Sequence, residues 1–262
     1  MGKRIEALRR GLLVLDHLGR DGPQSLASLA RATGLPKPTL LRILDTLEAT
    51  GHVRRGLIDG LWRATVARHD APLPGSLLAE ICAPLLDRLC QRILWPSDIG
   101  IHREGTIRIL ETSRRLSPFL GNRTVADSIH VFPSAMGRAI LAFTSEADRD
   151  RILAEVAMRD TPHDRPARDA AAMARLVAEV RAKGYGARNI GYYVSAPREA
   201  QVSAIAVPVM MGDIAIAAIN LSWVARAMTE AEIVAAHLDD LRSAAGTIAS
   251  EYAARGGMPD LR

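Results

Sequence analysis

Residues 25–63, SLASLARATGLPKPTLLRILDTLEATGHVRRGLIDGLWR, constrain this chain more than any other stretch. Ser25 is placed to cap a short helix carrying Leu26, Leu29 and Ala30 on one face. Gly34 suits the left-handed exit such a helix needs. Pro36 and Pro38 then fit a helix start, where their missing N–H costs nothing. Leu40, Ile43, Leu44 and Leu47 recur at i, i+3, i+4 and i+7, one buried stripe of a second helix that Gly51 ends. Lys37, Leu41, Arg42 and Asp45 fall on its opposite face. His52–Arg55 and Leu61–Arg63 read as two short strands around Ile58-Asp59-Gly60, where Asp-Gly signals a hairpin. Helix, turn, helix and basic hairpin is the layout of a winged DNA reader.

Charge sharpens this reading. The 262 residues carry formal charge +5, with 12 Lys/Arg against 7 Asp/Glu in residues 1–70 and 22 of each in the remainder. All the net positive charge sits on the module that would meet phosphate, as counterion release favours. Lys37, Thr39, Leu41 and Arg42 open the second helix, where they can reach base edges or phosphates. Ser25 and Ser28 lie where backbone N–H groups can hold a phosphate. Arg54, Arg55 and Arg63 on the hairpin would add salt-dependent affinity. A solvated surface charge is the bland alternative for each arginine.

Length and 48% hydrophobic content suit two domains. Residues 1–68 form the DNA module, 69–94 a linker and connecting helix, and 95–262 a second domain. A first helix over Ile5–Gly19 is expected to turn Ile5, Leu8, Leu12 and Leu15 inward. Thr65–Ser76, with Pro72, Pro74 and Gly75, reads as the linker. Leu77–Leu94 reads as a helix that Pro84 must kink or restart. Strands at Ser97–Arg103 and Thr106–Thr112 form a hairpin around Glu104-Gly105. Helices follow at Ser134–Phe143, Glu146–Met158 and Arg168–Lys183, and an extended stretch begins at Gly184. A second hairpin joins Val202–Met210 to Ile214–Trp223. A last helix, Glu230–Ala254, is expected to bury Ile233, His237, Leu241, Ala244 and Ile248. Such a mixture, with helices on one side of the sheet, indicates an α+β domain.

Several classes fall away. No run approaches the ~20 apolar residues of a membrane span. The start MGKRIEALRR has no signal-peptide core, so a cytoplasmic protein is expected. Cys82 and Cys90 on one helix stand about 12 Å apart in rise, too far to bridge each other. They precede the second domain's first strand, and no Ser/His/Asp spacing or metal-ligand cluster appears. No catalytic residue, metal or cofactor is expected; an enzyme on the second fold is the remote alternative. An architectural DNA binder is a third reading, for which a neutral second domain is superfluous.

The blocks ATGLPKPTLLRILDTLEATGHV, SAMGRAILAF, VRAKGYG and SAIAVPVMMGDIAIAAINLS, in this order and spacing, resemble the IclR family of bacterial transcription regulators along nearly the whole chain. The resemblance implies an N-terminal winged helix-turn-helix, a connecting helix and a C-terminal α+β, GAF-like effector-binding domain. It also implies a homodimer or dimer of dimers on operator DNA. LWPSDIG followed by ETSRRLSPF resembles the branch regulating 3-hydroxyphenylpropionate and related aromatic-acid catabolism. Pro38 departs from the Ser or Arg that family members often carry, which puts a hydrogen-bonding role there in doubt.

A carboxylate effector suits the N-terminus of the Ser134 helix, where Ala135 and Met136 let a ligand approach free N–H groups. Arg188, Tyr192, Tyr193, Ser203 and Asn220 lie in segments that resemble the family's pocket lining. An aromatic carboxylic acid is the expected effector, and a small aliphatic 2-oxo acid the alternative.

Overall fold

The computed structural model describes residues 5–65, 75–119, 128–159, 161–192 and 201–258; most of the expected linker lies outside them. Contacts group the chain into two units, Met1–Glu80 and Ile81–Arg262.

The first unit contains α1 (Glu6–Asp21), α2 (Leu26–Thr33), α3 (Lys37–Ala49), β1 (Val53–Arg55) and β2 (Trp62–Ala64). Its core joins Val14, Leu18, Leu29, Leu40, Leu44, Val53 and Trp62. The Ser25 hydroxyl caps α2 by accepting the Ser28 N–H, and Gly34 closes it in the left-handed conformation. β1 pairs antiparallel with β2, Arg55 opposite Trp62. The connection is therefore longer than the tight Asp-Gly turn expected.

One expectation for α1 is overturned. Ile5, Leu8 and Leu12 are 69%, 59% and 51% exposed, while Val14 and Leu18 are buried and Leu15 packs beside them. The run Leu12-Leu13-Val14-Leu15 makes α1 apolar on more than one face, and packing against α2 and α3 selects the Val14–Leu18 face.

α4 (Ser76–Ile93) is continuous through Pro84, neither broken nor restarted. Pro84 removes one helix bond, offset by burial of Cys82, Leu86, Leu89, Cys90 and Ile93. Both cysteines are free thiols.

The second unit is built on a six-stranded antiparallel sheet of order β5-β4-β3-β8-β7-β6. Its strands are β3 (Asp98–Arg103), β4 (Thr106–Thr112), β5 (Ser128–His130), β6 (Gly186–Ala187), β7 (Val202–Met211) and β8 (Ile214–Val224). The helices are α5 (Ala135–Phe143), α6 (Glu146–Ala157), α7 (Ala170–Lys183) and α8 (Glu230–Ala254), with a 3-10 turn at Arg165–Arg168. β5, only three residues long, has no legible period and was not expected.

The sheet is covered on both faces, not one. Ala215 to Trp223 are buried without a break, so side chains pointing both ways meet protein. At Gly186 a Cβ would strike the Ala135 carbonyl of α5, whereas neighbouring Tyr185 donates its hydroxyl proton to Glu230 of α8 at 2.8 Å. α5 and α8 thus take opposite faces. The buried stripe of α8 is Ile233, Leu238, Leu241, Ala245 and Ile248; His237 and Ala244, expected inside, are half-buried. The stripe is displaced by one position in the middle because Ala and His leave the face choice weakly determined.

Candidate functional site

Two surfaces carry the chemistry. On the first unit, Ser25 accepts the Ser28 N–H at 3.1 Å, and the Ser28 hydroxyl donates to Gln24 Oε1 at 2.7 Å. Both serines therefore shape the start of α2. Gln24 was not singled out from sequence. Its N–H and carbonyl each bond Trp62, both at 2.8 Å, so it fixes the hairpin against α2.

α3 presents Lys37, Leu41 and Arg42 to solvent and Thr39 half-buried, while Leu40 and Leu44 enter the core. These four candidates share the outer part of the helix start, where groove contacts are made. The hairpin arginines divide. Arg54 is half-buried and Arg55 exposed, its Nε donating to the Gly60 carbonyl at 2.9 Å. Arg63 pairs with Asp59 at 2.6 Å and keeps only 19% of its side chain exposed. It braces the hairpin loop.

On the second unit, the candidate effector residues converge on the α5 face. The strand register places Asn220 opposite Ala206 and Ala206 opposite Gly186, which meets α5. Arg188 extends the same ladder, its N–H donating to the Ala204 carbonyl at 2.9 Å. The Asn189 N–H donates to the Pro133 carbonyl at 2.9 Å, which ties the turn after β6 to the start of α5. Ser134 caps α5 by accepting the Gly137 N–H at 3.0 Å. Ser134, Ala135 and Met136 are nearly fully buried, so the positive end of α5 lies inside the protein.

Two candidates do not join them. Ser203 stands opposite Trp223, one position out of phase with Ala204 and Asn220, and so faces away from α5. Tyr193 lies outside the described residues.

Asn220 is engaged in a buried network that sequence reasoning missed. Its Nδ2 donates to Asp98 Oδ2 at 3.0 Å, and its Oδ1 accepts the Asp98 N–H at 2.7 Å. Thr112 donates to Asp98 Oδ1 at 2.5 Å. Arg114 forks onto both carboxylate oxygens at 3.0 and 2.8 Å and reaches the Ser222 hydroxyl at 3.4 Å. Burial pushes the Asp98 carboxyl up, but Arg114, Thr112 and Asn220 outweigh it and hold the group below the ordinary carboxylate value. Asp98 and Arg114 come from LWPSDIG and ETSRRLSPF, the two blocks that carry the narrower resemblance. The rings of Trp95 and Phe119, from the same blocks, meet tilted with centroids 4.6 Å apart.

Tyr192 is buried beside Arg188, whose guanidinium lies 4.9 Å from the ring centroid and bonds the Tyr192 carbonyl. The Tyr192 hydroxyl accepts the His130 N–H at 3.0 Å and lies 3.1 Å from His130 Nδ1. Among the described residues, no group of His, Cys, Asp and Glu could hold a metal ion. No described helix is long and apolar enough to cross a membrane.

Comparison with known proteins follows the same division. Residues 7–56 match the IclR helix-turn-helix domain, and residues 75–250 match the bacterial transcriptional regulator IclR C-terminal domain. The HTH-type transcriptional regulator BhcR of Paracoccus denitrificans is 29% identical over 191 residues, 71% of this chain and 67% of that protein. An IclR homolog from Microbacterium sp. strain HM58-2 is similar at TM-score 0.53 and 25% identity, over 95% of this chain and 98% of that one. An IclR homolog from Microbacterium hydrocarbonoxydans, solved with 4-hydroxybenzoate, is similar at TM-score 0.50 and 24% identity, over 95% and 99% of the chains.

Proposed function

The chain belongs to the IclR family of bacterial transcriptional regulators, and we propose that this DNA-binding regulator senses an aromatic carboxylic acid through its second unit. The carrying observation is the buried N-terminus of α5, with Arg188 in the adjoining turn on the same side of the sheet. A helix start and a guanidinium together suit a carboxylate. Met136 and Tyr192 supply apolar surface for a ring. The bound 4-hydroxybenzoate of the Microbacterium hydrocarbonoxydans homolog supports the same ligand class.

Lys37, Thr39, Leu41 and Arg42 read the operator, Arg54 and Arg55 bind its backbone, and Ser25 and Ser28 set the phosphate-facing start of α2. Arg63 acts by holding the hairpin. The exposed Ile5, Leu8 and Leu12 stripe, spaced like a coiled-coil seam, pairs with the same helix of a second copy. That pairing gives two readers for a two-fold operator. An acid that binds one arrangement of the pair better than another shifts operator affinity by that difference alone.

A thermal-shift screen of the full chain tests the effector assignment. Hydroxybenzoates and hydroxyphenylpropionates are expected to raise the melting temperature, and Arg188→Ala to abolish the rise. A rise with pyruvate or glyoxylate alone would overturn the aromatic assignment. For the DNA site, Arg42→Ala is expected to cost about 1–3 kcal/mol of discrimination at one operator position. Unchanged sequence preference in a gel-shift series would remove Arg42 from the reading set.

A further inference from the structure

His130 meets the Tyr192 hydroxyl in two ways. The hydroxyl oxygen accepts the backbone N–H of His130 at 3.0 Å and lies 3.1 Å from Nδ1 of the same residue. A hydroxyl has one proton to give. With the backbone N–H already directed at the oxygen, the pair is complementary when Nδ1 accepts the tyrosine proton, which requires a neutral imidazole. Tyr192 in turn holds Arg188: the guanidinium lies over the ring at 4.9 Å and bonds the Tyr192 carbonyl. The sequence His130, Tyr192, Arg188 therefore runs from an edge strand of the sheet to the cation of the proposed acid site.

We propose that His130 is a positioning residue of that site: neutral, it fixes Tyr192 and through it Arg188, and on protonation it releases both, so that acid binding weakens as pH falls. The proposal rests on the assignment of an acid effector to this site. Protonation turns Nδ1 into a second donor aimed at the oxygen that the backbone N–H already uses. The hydroxyl proton must then turn elsewhere, and the Tyr192 ring shifts with it.

The surroundings oppose the charged form. The His163 ring lies tilted at 4.7 Å from the His130 ring and edge-on at 5.3 Å from the Tyr192 ring. Arg159, just past the end of α6, adds positive charge. Across the sheet, β4 places the uncharged Thr106 opposite His130. Asp164 is the counter-charge, but its Oδ2 already accepts from Thr161 at 2.7 Å and Arg159 at 3.3 Å. Burial lowers the His130 titration, Asp164 raises it, and His163 and Arg159 lower it further, with a net position below the ordinary 6.5.

The test uses the full chain with 4-hydroxybenzoate as probe, by calorimetry at pH 7.5 and 5.5. One-proton linkage with a titration below 6.5 predicts a rise in Kd of at most about tenfold. His130→Asn keeps an acceptor at the Nδ1 position but cannot titrate, and flattens the profile. Tyr192→Phe weakens binding at both pH values and flattens it too. His163→Asn retains a slope. Equal wild-type affinity at both pH values, or a slope retained by His130→Asn, overturns the proposal. Amide exchange over residues 185–192 in the unliganded chain, corrected for intrinsic rates, separates the two assignments. Faster exchange at pH 5.5 in wild type but not in His130→Asn, with no probe bound at either pH, supports the latch and removes the acid assignment. Unchanged exchange in wild type overturns the latch itself.

Discussion

Replacing Arg114 by Met should convert the best-bonded carboxylate of the second unit into its weakest point. Asp98 is 2% exposed and accepts four side-chain hydrogen bonds, two of them from Arg114. The substitution leaves Thr112 and Asn220 but removes the charge that makes an ionised group tolerable there. Removing one partner of a buried pair costs about 3–5 kcal/mol; the two surviving donors place the expected loss near the lower end, about 3 kcal/mol. The pH dependence carries the diagnosis. In the wild type the Asp98 titration lies below its ordinary 3.8, so its contribution is full above that value and is lost only as pH falls through the folded value. In Arg114→Met, burial is the dominant remaining influence and raises the titration above the unfolded value. The folded state then binds more protons than the unfolded state, and the penalty shrinks as pH falls from 7 toward 5, by at most about 1.4 kcal/mol per pH unit. Urea unfolding followed by tryptophan emission reads this in a Trp62→Phe background, because Trp95 and Trp223 belong to the second unit and Trp62 to the first. Adding Asp98→Asn should recover part of the loss, as a double-mutant cycle with positive coupling. A cost below about 1 kcal/mol at pH 7, or one that does not shrink on acidification, would refute the claim that this pair secures the junction of β3, β4 and β8.

Three further outcomes are expected. Gly137→Ala drives a Cβ into the Val131 carbonyl, so overpacking of about 1–3 kcal/mol should exceed the ~1 kcal/mol gain in helix propensity; a raised Tm would contradict the close approach. His102 is buried with neither ring nitrogen hydrogen-bonded among the described residues, and burial lowers its titration despite Glu155 at 3.5 Å. Its contribution is therefore full above pH 6.5 and is lost as pH falls toward the folded value; His102→Leu should flatten this acid limb by up to about 1.4 kcal/mol per pH unit, and unfolding curves with unchanged pH slope would exclude it. Leu8→Glu with Leu12→Glu should shift sedimentation toward monomer and weaken operator binding at least tenfold, whereas an unaltered dimer would place the interface elsewhere.

What could be read from the sequence follows from how strongly each pattern is determined. Ser25, Gly34 and the Leu40–Leu44 stripe each have one low-energy solution, and the structure adopts it. The hairpin β7–β8 is equally legible, with two long apolar runs around Gly212-Asp213. α1 was not legible in the same way because two apolar faces compete, and only packing against α2 and α3 chooses between them. β5 is too short for a period and exists through its pairing with β4. Ser203 failed for a geometric reason: belonging to the right strand gives even odds of the wrong face, and the register with Trp223 decides it.

The same limit applies to Asn220, which the sequence places in the effector-site lining. Sequence offers a polar residue in an apolar strand, which marks a site but not its partner. Asp98 lies 122 positions away in the chain, and no spacing rule connects them. Once paired, Asn220 uses both ends of its amide on Asp98, so its first task is to hold β3 against β8 and thereby fix Arg114. The residues of LWPSDIG and ETSRRLSPF are then joined twice, by the Asp98–Arg114 ion pair and by the Trp95–Phe119 ring contact. Short blocks far apart in sequence can thus carry a single structural device. Changing either block alone should loosen the junction of β3, β4 and β8, because Asp98 comes from one block and its Arg114 and Thr112 partners from the other.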